Sequence, residues 1–169
     1  DVFTVKRAGP PFNLPTDAAV GADGSIFVTD GYGNARVHHF TRDGELLHSW
    51  GSPGSGPGEF VLPHGVKVDA DGRVLVADRE NNRIQVFAPD GSYLTEFGDL
   101  FRPCGLCLDA EGNIYVAELG PSHGRVSILD ADGNVKARWG IVGEVPSAGG
   151  HSIAVDSDAP LAVAHAGLL

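Results

Sequence analysis

Pro63-His64-Gly65-Val66-Lys67-Val68-Asp69-Ala70-Asp71-Gly72-Arg73-Val74-Leu75-Val76-Ala77-Asp78 decides the fold, because its pattern recurs along the chain. A proline is followed by a short apolar-x-apolar run, an acidic-Gly turn, a second apolar run ending in Val, and a carboxylate. The same phrase starts at Pro15 and at Pro103, and a degenerate copy lies around Gly150. Each full copy continues through a polar stretch, an Arg, an apolar run and Asp-Gly. The copies close on Trp50-Gly51, Phe97-Gly98 and Trp139-Gly140.

Starts at 15, 63 and 103 give steps of 48 and 40 residues. Asp-Gly flanked by apolar runs is a hairpin signal, because Gly supplies the positive φ a tight turn needs. In the first copy Ala18–Val20 and Ile26–Val28 flank Asp23-Gly24, and Arg36–Phe40 and Glu45–Trp50 flank Asp43-Gly44. Two hairpins per copy at a period of roughly 40–50 residues define a β-propeller blade. The expected fold is all-β, with three full four-stranded blades and a partial fourth. The expected divisions are an N-terminal segment 1–11, blades over 12–51, 52–98 and 99–140, and a partial blade with an irregular tail over 141–169. In the fourth copy Ser152–Val155 reads as a strand, and Leu161-Ala162-Val163 as a second. The first two strands of each copy are nearly continuous apolar runs, as strands buried on both faces are. The glycine-rich stretch Gly51 to Phe60 reads as a surface loop that lengthens the first step. No Lys-Ser/Thr follows it, so it is not a phosphate loop.

Three blades and a fraction do not close a ring of four to eight. The sequence therefore predicts a fragment of a larger propeller, or self-association that completes the ring and covers an apolar flank.

Composition narrows the partners. With 22 acidic and 12 basic residues the net charge is -10, which argues against nucleic acid and against an anionic membrane surface. No run approaches the roughly 18 apolar residues of a membrane span. Cys104 and Cys107 lie three apart on one expected strand and so face opposite ways, against a redox pair. Neither these cysteines nor a visible leader fixes a compartment.

Val76-Ala77-Asp78-Arg79-Glu80-Asn81-Asn82-Arg83-Ile84-Gln85-Val86-Phe87 resembles the core phrase of NHL repeats, and roughly residues 12–155 fit that pattern. Thr29-Asp30-Gly31-Tyr32-Gly33-Asn34-Ala35-Arg36-Val37, Leu62-Pro63-His64-Gly65 and Ala77–Arg83 together resemble the peptidyl-α-hydroxyglycine α-amidating lyases and bacterial relatives of unassigned substrate. That resemblance implies a zinc centre held by three His near the propeller axis, a structural calcium in the channel, and cleavage of a peptidyl carbinolamide to an amide and glyoxylate.

The residue after the repeat proline is Thr16, His64 or Cys104, and His151 follows Gly150 in the same register. Equivalent positions converge on the axis, so two His and a Cys there are zinc-type ligands. The resemblance carries metal ligation to His64 and His151 and assigns no ligand to Cys104. It places the third His in a blade this chain lacks. It makes Tyr32 the catalytic base, since a phenol beside a cation gives up its proton more readily. It makes Arg79 the residue that orients a substrate carboxylate, a task suited to a guanidinium fork. Arg36, Arg83 and Arg125 recur and read as structural partners of Asp30, Asp78 and Glu118. His38, His39, His48 and His123 fall on expected outer strands or loops and receive no role. Asp69-Ala70-Asp71-Gly72 lacks the ligand spacing of an EF-hand and reads as a turn.

Three function classes follow: a metal-dependent lyase with a peptide-like substrate, a non-catalytic module presenting a propeller face to a protein, and a lactonase-like hydrolase on a calcium propeller. The last needs carboxylates at the channel mouth that the register does not supply.

Overall fold

The computed structural model describes residues 11–120, 124–140, 150–155 and 162–165. The other residues, including His123 and most of the tail, lie outside the described parts. Three four-stranded antiparallel sheets follow one another, each a meander in chain order. The first holds β1 (Asp17–Val20), β2 (Ile26–Asp30), β3 (Arg36–Phe40) and β4 (Leu46–Trp50). The second holds β5 (Pro63–Val68), β6 (Val74–Asp78), β7 (Arg83–Phe87) and β8 (Tyr93–Phe97). The third holds β9 (Pro103–Leu108), β10 (Ile114–Glu118), β11 (Arg125–Leu129) and β12 (Val135–Gly140). A two-stranded sheet, β13 (Gly150–Ala154) with β14 (Ala162–His165), follows. The three four-stranded sheets are the expected blades. Among the described residues no helix is long and apolar enough to cross a membrane.

The turns work as the sequence predicts, with one refinement. The glycines of all six acidic-Gly turns have positive φ, Gly72 at 79° among them. The turns are wider than the tightest hairpin, however: Gly72 N–H donates to the Asp69 carbonyl, and Asp69 N–H to that of Arg73. The Asp69 carboxylate caps the inside by accepting from the Asp71 and Arg73 amides.

The core lies between sheets. Val66, Val74, Val76 and Phe87 of the second sheet pack with Phe27 and Val37 of the first, and Leu75, Ala77, Ile84 and Val86 pack with Leu106, Ile114 and Val116 of the third. Strands β6 and β7 are buried throughout, whereas β4, β8 and β12 are largely exposed. The loop Gly51–Phe60 runs over the surface as expected, but its end is anchored: Phe60 is 1% exposed in the core, and the Gly56 and Glu59 carbonyls accept hydrogen bonds from the Arg83 guanidinium. A large aromatic at the loop's end pins it to the adjoining sheet.

One buried carboxylate ends the second strand of each blade and ties the sheet to its entry loop. Asp78 accepts from Val61 N–H, Asn81, Arg83 and Gln85. Glu118 accepts from Phe101 N–H, Arg125 and Ser127. Asp30 accepts from Asn13 N–H, Asn34 and His38, and here the expected partner fails. Arg36 stands opposite Asp30 in register but is exposed. His38 takes the place that Gln85 and Ser127 hold in the other sheets, and it also bonds Ser49 at 2.7 Å. The reading of His38 and His39 as outer or loop residues is likewise corrected, because both are buried within β3.

Candidate functional site

The innermost strands β1, β5, β9 and β13 pack side by side. They come close because glycines line the contact: a Cβ on Gly65 would run into the Cys104 carbonyl oxygen. Each of three inner strands opens on an irregularity of register. The pairing of β5 skips His64, that of β9 skips Cys104, and that of β13 skips His151. An unpaired, bulged residue leaves the alternation of the strand and can turn its side chain toward the axis. The residues that share this register, His64 and His151, do come together, and the bulge gives the geometric reason.

Loops from the second strands cover this point. Gly31 presses on Pro63, where any side chain would collide with the Pro63 carbonyl, and so holds Tyr32 over the start of β5. Arg79 opens a 3-10 turn after β6 (Arg79–Asn81). Its backbone N–H donates to the Leu62 carbonyl at 3.1 Å. Leu62 has φ of 73°, an uncommon conformation for a γ-branched residue, and Leu14 and Arg102 repeat it before their own prolines. At Leu62 and Arg102 the carbonyl meets the loop after the second strand, accepting from Arg79 N–H and Leu119 N–H.

The side chains of Tyr32, His64, His151 and Arg79 meet. His64, 5% exposed, and His151 stand edge to face with ring centroids 4.6 Å apart. His64 Nδ1 lies 3.2 Å from the Cys104 carbonyl oxygen. A carbonyl only accepts, so the network assigns the proton to Nδ1 and leaves a lone pair on Nε2. The Tyr32 hydroxyl, 3.2 Å from Nε2, donates to it. Arg79 Nη1 donates in turn to the Tyr32 oxygen at 3.4 Å. One directed chain therefore runs from Arg79 through Tyr32 and His64 to the backbone of β9.

Electrostatics fix the protonation of the pair. Burial, reinforced by His151 and Arg79, lowers His64 to about 4. Burial, with help from Arg79, also lowers His151. Both imidazoles are neutral at physiological pH, the form that ligates metals. Burial pushes the Cys104 thiol up to about 11, and its Sγ turns toward the Arg102 carbonyl. Cys104 serves this site through its carbonyl and brings no thiolate to it. Among the described residues no group of three or more His, Cys, Asp or Glu side chains is placed to hold a metal. Beside the His pair opens a cleft of about 150 Å³, whose polar lining includes Thr16, Asp17 and Lys67.

Sequence reasoning missed Glu80. Its Oε1 lies 3.2 Å from Arg79 Nε and 2.6 Å from Arg102 Nη2, so one carboxylate bridges guanidiniums of the second and third sheets. The signal was an acid directly after Arg79, where the other copies have Tyr32 and Gly120.

Residues 12–40 and 60–87 match the family model described as NHL repeat. The chain carries NHL repeats, and its fold is that of a β-propeller. Over 106 residues it is 39% identical to a probable peptidyl-α-hydroxyglycine α-amidating lyase of Caenorhabditis elegans, an alignment covering 61% of this chain and 29% of that one. Over 127 residues it is 37% identical to NHL repeat-containing protein 3 of Homo sapiens, covering 71% of this chain and 36% of the other. A solved streptogramin B lyase superposes with a TM-score of 0.68 at 18% identity, over 90% of this chain and 48% of its own, a likeness of fold. The chain thus spans roughly a third of these curated relatives and about half of this solved propeller.

Proposed function

We propose that this NHL propeller is a metal-dependent lyase acting on peptidyl-α-hydroxyglycine, with His64 and His151 as metal ligands. The observation that carries the reading is the convergence of Tyr32, His64, His151 and Arg79 at one bulged register. The donor chemistry suits zinc. Both imidazoles are neutral, and the His64 Nδ1–H bond to a backbone carbonyl is the outer-shell contact that metal-binding His residues make. Two ligands fall short of the three or four of zinc centres, so a third protein ligand from beyond the described residues belongs to the proposal. A structural calcium would draw oxygen ligands from inner-strand carbonyls.

When bound, zinc would polarise the substrate hydroxyl and make it more acidic. Arg79, buried and with its Nε paired to Glu80, would turn the Nη edge of its guanidinium toward the substrate carboxylate. With His64 Nε2 given to the metal, Tyr32 would lose that acceptor and its own proton to solvent, and as the phenolate would take the hydroxyl proton and pass it to the leaving amide nitrogen. Collapse of the alkoxide to an aldehyde breaks the C–N bond, the amide nitrogen regains a proton, and glyoxylate leaves.

Glyoxylate release from a peptidyl-α-hydroxyglycine by tag-free protein tests the reading. Turnover in the parent chain that vanishes in a folded His64→Ala variant supports it, and full turnover in that variant removes it.

The count of two ligands also favours a second reading, a non-catalytic module that binds a protein. A partner that stays bound after chelation would mark it. Under either reading we expect self-association. Phe12, Leu14 and Val20 are exposed on the first blade, and a second copy would cover them and could supply the missing ligand. Sedimentation should show a dimer at micromolar concentration, and a folded monomer would contradict this.

A further inference from the structure

We infer that the first blade carries a second metal site, for a divalent first-row transition ion, with His39 of β3 and His48 of β4 as its imidazole ligands. The two residues are direct cross-strand partners. Their rings stand perpendicular with centroids 5.0 Å apart. His39 is 8% exposed and stacks on Phe27, with centroids 4.1 Å apart and planes 14° off parallel.

The polar atoms of this cluster are orphaned. Neither ring nitrogen of His39 has a well-formed hydrogen-bond partner, the Pro89 backbone carbonyl lying only at the margin of one, nor has Nε2 of His48 or Nε1 of Trp50, and all four atoms are buried. Trp50 lies over His48 with centroids 5.6 Å apart. Leaving a buried polar group unpaired costs about 1–3 kcal/mol, so several together call for a water or an ion.

The surroundings favour a cation. Asp23, in the β1–β2 turn, and His39 are close enough for each to feel the other's charge, and Asp90, in the β7–β8 turn, feels that of His48. Burial, and after it His48, lowers the His39 pKa, so the imidazole is neutral and its lone pair open. Two imidazoles, with solvent completing the coordination, suit Zn²⁺, Ni²⁺ or Cu²⁺ and not a hard ion such as Ca²⁺. Half-buried His48 gives the ion a way in. The site shares no residue with the axial cluster and does not depend on the lyase reading.

Cu²⁺ is the probe, because Trp50 adjoins the site and reports by quenching. In a Trp139→Phe background Trp50 is the one remaining tryptophan. Its emission should fall saturably with one equivalent of Cu²⁺, and should do so equally in a His64→Ala/His151→Ala variant. In a His39→Phe/His48→Leu variant, half-quenching should need at least about tenfold more metal, since losing even an outer-shell partner costs about 10–100-fold in affinity. Zn²⁺ should raise Tm in the His64→Ala/His151→Ala variant and lose that effect when His39→Phe/His48→Leu is added. The single variant His39→Phe keeps the stack on Phe27 and removes two orphans. It should fold at least as stably as the parent without metal, and in the His64→Ala/His151→Ala background it should no longer gain Tm from Zn²⁺. Equal quenching curves in the parent and His39→Phe/His48→Leu chains, or no saturable quenching in the parent, would overturn the site.

Discussion

In each four-stranded sheet a buried carboxylate ends the second strand, and close by, at the head of the first strand, stands the residue after the repeat proline. Asp30, Asp78 and Glu118 keep one job: each accepts a backbone N–H from the entry loop and one or more side-chain donors. The residue after the proline is Thr16, His64 or Cys104, with His151 after Gly150 in the same register, and its chemistry changes from copy to copy. Thr16 stitches inner strands by donating to the Pro63 carbonyl, Cys104 lends its carbonyl to His64, and the two His face each other. A repeated position with repeated chemistry builds the sheet, whereas a repeated position with varied chemistry is free to act.

The contrast breaks first at Asp78. Asp78→Ala leaves a buried Arg83 without its main partner and the Val61 amide without an acceptor, which should cost about 3–5 kcal/mol in denaturant unfolding. A cost below about 1 kcal/mol would mean the carboxylate is not what ties the loop to the sheet. Next in size comes acid. The ordinary His value is 6.5 and folding holds His64 at about 4, so between those values the unfolded chain binds more protons. This contribution to stability is complete above about pH 6.5 and is lost as pH falls toward 4. By pH 4.5 the loss amounts to about 2–3 kcal/mol. Urea midpoints at pH 7 and pH 4.5 should diverge more for the parent than for His64→Asn, and equal divergence would refute the burial argument.

Arg79→Lys keeps the charge and loses the fork. Under the lyase reading it should lower kcat/KM for glyoxylate release by at least about tenfold, with Tm nearly unchanged. The smallest effect belongs to Arg36. Exposed and without an ion-pair partner among the described residues, Arg36→Ala should shift stability by less than about 0.5 kcal/mol, although Arg83 and Arg125 occupy the same place in the repeat. A large loss there would restore the uniform pairing that the sequence suggested.

The architecture was legible because turn chemistry and strand burial recur together: positive-φ glycines punctuate runs that are apolar on both faces. The meeting of His64 and His151 was legible for the same reason, since shared register in a propeller means a shared axis. What was hidden depends on choices among equivalent donors. Nothing in the sequence says that His38 outcompetes Arg36 for Asp30, because both lie within reach and only packing against Ser49 and Phe12 selects one. The role of Cys104 was hidden because it acts through a backbone atom. The cluster of His39, His48 and Trp50 was hidden because it crosses strands whose pairing had first to be known.

The most direct test of the axial site is zinc content, measured by elemental analysis on tag-free protein for the His39→Phe/His48→Leu chain and for the same chain with His64→Ala and His151→Ala added. The account predicts about one zinc per chain, or one per dimer, in the first and none in the second. Equal zinc in both, or none in either, would contradict a metal held by His64 and His151.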